Sequence, residues 1–268
     1  ILIVDTYYQP YLQELYSKDL AEKSWEVQHR SHFVGGFGTS NAYSNGLYKL
    51  GIAAIEIVAN SLPLQQAWAK EFDQSHIKSK NIFMELLMIL ESQIKWWEPD
   101  IVYVQDINWI PDDFLYQIKS MTGMIIGQNA CPLKDNIKLD NYDLILTSLP
   151  HYVEKFRKMG VAADYLPIGF DERRLECHGT NLNRVYPLTF VGGLGGYHNK
   201  GTDLLEGIGE KIPIKIWGYG GERLPVNSVI RNNWQGEAWG EKMYKVLADS
   251  KITINRHIDI AENYANNM

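Results

Sequence analysis

The chain has 268 residues, 45% hydrophobic and 12% aromatic, enough to bury two modest cores. A formal net charge of -6 without a basic block argues against nucleic acid as a partner, so an anionic ligand has to be met by local cations. Two cysteines, Cys131 and Cys177, offer neither a metal cluster nor a redox motif, and the apolar run Ile82 to Trp97 is broken by Glu85, Glu91 and Lys95, so no transmembrane segment is expected. A reducing, cytoplasmic setting is the default expectation.

In chain order, Ile1 to Val4, ending at Asp5, predicts a buried parallel strand, and Tyr11 to Leu20 a helix. Val34 to Asn41 is a glycine turn leading into a helix over Ala42 to Leu50, capped by Gly51, with a strand at Ile52 to Val58. Gly36, Phe37, Gly38 and Thr39 thus sit on a loop entering a helix. That loop reads equally well as a second ligand surface or as a turn with Ser40 as helix cap.

Apolar residues at spacings of three and four predict an amphipathic helix over Asn81 to Glu98, ended by Pro99. A strand follows at Ile101 to Val104, with Gln105 and Asp106 at its carboxyl end. A helix at Asp112 to Ser120, a strand at Met124 to Gly127 with Gln128 and Asn129 beyond it, and a strand at Asp143 to Leu146 continue the alternation. Polar residues at successive strand ends lie where open α/β sheets hold ligands, although each alone is more often a solvated loop residue.

A helix at Pro150 to Met159 and a strand at Ala163 to Leu166 complete the first half, and the polar stretch Glu172 to Arg184 reads as a linker. The second half predicts a strand at Leu188 to Val191, a helix at Thr202 to Ile208 and a strand at Ile212 to Trp217. A short strand near Val229, a helix at Trp239 to Ser250 and a strand at Ile252 to Asn255 follow. The expectation is an α/β protein with two Rossmann-like domains, residues 1–170 and 171–268, facing a cleft.

The stretch Thr189 to Leu205 carries the most chemistry. Phe190 and Val191 end a strand, Gly192, Gly193, Gly195 and Gly196 form a turn without side chains, and Lys200 stands at the mouth of the next helix. Amides without intrahelical partners and a positive dipole end suit a diphosphate there. The spacing is neither a Walker A loop nor G-x-G-x-x-G, so the glycines alone are equally compatible with a plain surface turn. A second glycine turn, Gly218-Tyr-Gly-Gly221, follows the next strand.

In order, Thr147-Ser148, Gly160, Leu166-Pro-Ile-Gly-Phe-Asp171, Phe190-Val-Gly-Gly193, Lys200-Gly-Thr-Asp-Leu-Leu205, Gly218-Tyr-Gly-Gly221, Gly236 and Leu247-Ala-Asp-Ser250 resemble the GT-B glycosyltransferases. The resemblance is closest to the group containing the CgeB-like spore maturation proteins. Tyr43-Ser44, Lys49-Leu-Gly51, Asn60, Leu64-Gln-Gln-Ala-Trp-Ala69 and Pro99-Asp-Ile-Val-Tyr-Val-Gln-Asp106 extend it over nearly the whole chain.

The resemblance implies sugar transfer from a nucleotide diphosphate sugar to an unknown acceptor. It places donor contacts at Gly192, Gly193, Lys200, Gly218, Tyr219, Gly220 and, on the approach to its last motif, Asn263; Arg256 and His257, at a strand end, are donor-side candidates by position alone, equally compatible with surface roles. Acceptor-side contacts fall at Gly36, Phe37, Gly38, Thr39, Asp106, Gln128 and Asn129. The chain has no Asp-x-Asp pair, so no metal and no cofactor besides the sugar nucleotide are expected. Two departures stand out: many relatives carry an arginine after the first glycine of this turn, where Gly193 and Leu194 are found here, and the acidic donor contact of relatives would fall beyond Met268.

Ile1 opens in a strand-like run without a Met and Met268 closes a polar segment, so the chain reads as a truncated body that turns over poorly. No catalytic base is identified: His32 and His151 lack an acidic partner at interpretable spacing, and Trp68, Trp96, Trp97 and Trp109 read as core. The run Asp171 to Arg174 reads as a wet linker, with His178 solvated. The alternative function is a non-catalytic ligand-binding or regulatory α/β protein. A hydrolase or sugar-nucleotide epimerase would require an acidic pair that the sequence does not reveal.

Overall fold

The short apolar runs of the first half become β1 (Leu2–Asp5), β2 (Ile55–Val58), β3 (Ile101–Val104), β4 (Met124–Asn129), β5 (Leu144–Thr147) and β6 (Ala163–Tyr165). They form one parallel sheet in the order β2-β1-β3-β4-β5-β6. Leu2, Ile3, Val4, Ile57, Val102, Ile125 and Ile145 are buried in it, as parallel strands covered on both faces require. β1 pairs with β2 on one side and β3 on the other, so the strand order reverses between β1 and β3. The carboxyl ends at such a reversal are where open α/β sheets leave a crevice. The computed structural model describes residues 1–178, 184–196 and 198–256.

The connections are α1 (Gln9–Leu15), α2 (Trp25–Val34), α3 (Ala42–Lys49), α4 (Leu62–Glu71), α5 (Ile82–Trp97), α6 (Asp112–Ile118) and α7 (Pro150–Lys158). α5 follows its apolar stripe: Ile89, Leu90 and Ile94 are fully buried, each worth roughly 1.5–3 kcal/mol. It opens on Asn81, whose Oδ1 accepts the Phe83 and Met84 amides at 2.9 and 3.3 Å, and it closes on Glu98 in a left-handed conformation. Trp68 is buried, stacks on Phe72 with centroids 5.0 Å apart, and meets Trp97 at 5.8 Å, so these two tryptophans are core.

The second half forms β7 (Tyr186–Val191), β8 (Lys215–Trp217) and β9 (Ser250–Ile254), a parallel sheet in the order β8-β7-β9. Its helices are α8 (Arg173–His178), α9 (Asn199–Gly209), α10 (Val229–Asn232) and α11 (Gly240–Ala248). Phe190, Leu194, Leu205, Ile214, Ile216, Leu224 and Ile230 make one core cluster. The chain divides into two units, Ile1–Val34 with Gly38–Pro167, and Gly35–Phe37 with Ile168 onward. No helix among the described residues is long and apolar enough to cross a membrane.

Several local expectations need correction. The segment near Val229 is a helical turn, because the Ser228 hydroxyl caps the Arg231 amide at 2.9 Å and the Glu206 carboxylate takes the Val229 amide at 2.9 Å. The supposed wet linker begins with α8, and Arg174 in it is only 8% exposed, paired with Glu241 at 2.8 Å and Asp171 at 3.5 Å. α2 was not expected at all. β4 runs two residues further than predicted, so Gln128 and Asn129 lie within the strand rather than beyond it.

Candidate functional site

In the second unit, the turn after β7 enters α9 through His198, so Lys200 stands in the first helical turn, exposed to solvent. A Cβ on Gly201 would come within 3.1 Å of Arg256 Cγ, which puts the Arg256 stem over the same turn. Lys200 thus lies in the first turn of an eleven-residue helix with the Arg256 stem packed over it, at an end where the dipole favours negative charge. Thr202 holds the turn from below, its hydroxyl donating to the His198 carbonyl at 2.9 Å and accepting the Gly195 amide at 2.8 Å.

The glycines have specific steric reasons. The Gly192 amide donates to the Trp217 carbonyl and the Leu194 amide to the Tyr219 carbonyl, each at 3.0 Å, drawing the turns after β7 and β8 together. A Cβ on Gly218 would lie 1.8 Å from the Gly192 oxygen, and one on Gly220 would lie 2.2 Å from the Leu194 oxygen. Gly193 leaves room for a pair: His198 Nε2 and the Tyr219 hydroxyl, 2.9 Å apart, would each be 2.5 Å from its Cβ. Tyr219 also stacks on Trp239, their rings 9° from parallel.

The expected acceptor-side residues separate. Gly36 and Phe37, expected in the first domain, belong to the second unit, where Phe37 packs edge-on against Trp239 with centroids 5.6 Å apart. The other five lie in the first unit. Gly38 has a left-handed φ of 57°, and the Thr39 hydroxyl donates to Gln105 Oε1 at 2.9 Å. The Asp106 carboxylate accepts the Thr6 hydroxyl and the Asn108 amide, both at 3.0 Å. Gln128 Oε1 accepts the Tyr103 hydroxyl at 2.6 Å. Asn129 is buried and ties β4 to β5 by accepting the Thr147 hydroxyl at 3.2 Å, which makes it a structural bridge. His257 and Asn263 lie outside the described residues.

The strand order brings together a pair of carboxylates that sequence reasoning missed. Asp5 ends β1 and Asp106 follows β3, its neighbour, and Thr6 joins them: its amide reaches Asp5 Oδ1 at 2.7 Å and its hydroxyl reaches Asp106. Burial pushes the Asp5 carboxyl up to about 7, against the Thr6 hydrogen bond, with the negative charges of Asp106 and Glu56 adding to the rise. Both aspartates end apolar runs in the sequence, but their adjacency depends on β1 and β3 being neighbours.

The histidines weighed as bases have other surroundings. His32 is fully buried, bonded to the Gln28 carbonyl at 2.7 Å and the Ser61 hydroxyl at 2.9 Å, and burial lowers its pKa to about 4. It is a core histidine. His151 packs edge-on against Tyr152, and burial with the nearby Lys155 lowers its pKa. Among the described residues no group of three or more His, Cys, Asp or Glu side chains could hold a metal ion. No protein-family model matches the chain, and no curated protein matches it.

Proposed function

We propose that the protein is a GT-B-type glycosyltransferase that moves a sugar from a nucleotide diphosphate donor to an acceptor hydroxyl without a metal ion. The observation that carries this reading is the convergence of Lys200, Arg256 and the first turn of α9 beside the glycine turn after β7. As the bond between sugar and diphosphate breaks, negative charge gathers on the leaving group, and fixed cations with a helix dipole stabilise it. Tyr219 and Trp239 add a stacked aromatic surface in the same unit. On the acceptor side, Asp5 has the protonation behaviour suited to taking up the proton of an attacking hydroxyl near neutral pH.

Calorimetry with UDP and GDP tests the donor site. Lys200→Ala should weaken binding about tenfold or more, the loss expected of one charge-assisted phosphate contact. Transfer from the matched sugar nucleotide should be unaffected by EDTA. The reading fails if neither nucleotide binds, or if a chelator abolishes turnover and magnesium or manganese restores it.

A second reading, ligand binding without turnover, is favoured by the hydrogen bonds inside the turn: the amides of Gly192, Leu194 and Gly195 already have partners within the fold. That reading predicts nucleotide binding with no sugar transfer to any acceptor.

A further inference from the structure

We propose that a cavity of about 650 Å³ in the first unit binds the acceptor, and that this acceptor is an uncharged molecule with an aromatic or aliphatic body bearing hydroxyl groups. The inference rests on the glycosyl-transfer reading for the word acceptor, and on the cavity itself for the ligand chemistry. The volume lies within the range of about 300–1,000 Å³ usual for small-molecule sites.

The walls come from segments that follow the carboxyl ends of β1, β2 and β3: Gln9 and Gln13 on α1, Asn60 after β2, and Trp109 after β3, with Phe83 on α5 opposite. This is the sheet edge at the reversal of strand order, where α/β folds form their crevices. Asn60 is clamped in place, its carboxamide accepting the Tyr7 amide at 2.9 Å and donating to the Tyr7 carbonyl at 2.8 Å. Phe83 and Trp109 meet edge to face at 5.3 Å and make a firm apolar wall.

Among the described residues, no charged side chain lines the cavity. Its polar groups are mainly carboxamides and hydroxyls, which hydrogen-bond hydroxyls without supplying a counter-charge. A carboxylate or phosphate entering it would lose hydration and find no cation, in a protein whose net charge is already -6. An apolar body against Phe83 and Trp109, with hydroxyls toward Gln9, Gln13 and Asn60, satisfies the lining as it stands.

Phenyl β-D-glucoside and phenyl β-D-glucuronide, which differ by one carboxylate, are the probes. Calorimetry on the intact chain should show the glucoside binding at least about tenfold tighter than the glucuronide. Gln13 is exposed, so replacing it spares the core. Gln13→Trp should fill the cavity and weaken the glucoside about tenfold, while Gln13→Arg should narrow the preference by admitting the glucuronide. The inference is overturned if the glucoside does not bind, if the glucuronide binds as well or better to the unaltered protein, or if Gln13→Trp leaves glucoside affinity unchanged. UDP titration of the same samples separates the two readings. Glucoside binding without UDP binding keeps the neutral-ligand cavity and removes the transferase; UDP binding without glucoside binding removes the cavity alone.

Discussion

The turns after β1 and β7 leave the carboxyl ends of parallel strands in comparable ways, yet they are held by different means. After β1, side chains do the holding: Thr6 bonds to Asp5 and Asp106, and Asn60 brackets Tyr7 through both its amide and its carbonyl. After β7, backbone meets backbone: the Gly192 and Leu194 amides donate to the Trp217 and Tyr219 carbonyls, with Gly218 and Gly220 where a Cβ would collide with main-chain oxygens. A turn built from ionisable side chains responds to pH and tolerates conservative substitution. A turn built from close backbone contact owes little to pH, here only through the His198 and Tyr219 pair, and is intolerant of a side chain at Gly218 or Gly220.

The largest test of that difference is Gly218→Ala. The added methyl would sit 1.8 Å from the Gly192 oxygen, at a φ of +136° that side chains rarely adopt, so the turns must part. A destabilisation of about 4 kcal/mol or more is expected, confined to the second unit and unchanged between pH 5 and 8. Segment-resolved hydrogen exchange measures it; equal protection in both proteins would show that the backbone contact does not hold the turn.

The next effect lies in the first unit and comes from acid. His32 is neutral when folded, with a pKa of about 4 against 6.5 for the free side chain, so the unfolded chain binds the proton first as pH falls. Stability should be flat above pH 6.5 and decline by about 3 kcal/mol by pH 4 on this account. His32→Gln should flatten that decline in urea melts, whatever its effect at neutral pH. A wild-type decline that persists in the variant would assign the acid sensitivity to another group.

Asp5 has the opposite sign and the smallest expected effect. Its folded pKa of about 7 is above the ordinary 3.8, so its contribution is full below pH 4 and is lost as pH rises through 7. Asp5→Asn, which keeps the acceptor for the Thr6 amide, should therefore stabilise the protein at pH 8 by about 1–2 kcal/mol, after allowing for partial solvent screening of a half-buried carboxyl. Equal melting of the two proteins at pH 8 would place Asp5 among the ordinary surface carboxylates.

The elements that were legible in the sequence are those whose apolar residues announce their period. Ile101 to Val104 is β3 to the residue, and α5 departs from its expected span by one residue at each end. α2 was illegible because its buried face carries Gln28 and His32 as well as Phe33, so the stripe that marks a helix is written partly in polar residues. The Arg174 cluster was misread for a related reason: a charged run looks solvated unless the partner Glu241, distant in sequence, is known to be adjacent. At the candidate site, the glycine turn and Lys200 were visible as a local string. Arg256 was named too, but its packing over Gly201 was not, and neither were the Asp5 and Asp106 pair or the cavity at Phe83 and Trp109, since each is created by strand order or by long-range packing.

The order β8-β7-β9 also governs when the second sheet can exist. β7 is its central strand, and the register from Tyr186↔Ser250 to Phe190↔Ile254 joins residues on opposite sides of two helix-bearing excursions. During synthesis the first sheet, finished by Tyr165, is complete while β7 has yet to emerge, and β7 then waits with one edge unpaired until β9 follows. At roughly 5–20 residues per second that interval lasts several seconds, long enough for an open strand edge to meet other nascent chains. Vectorial assembly thus makes the pairing of β9 with β7 an aggregation hazard of this sheet, where a slowed ribosome or an absent chaperone would be felt.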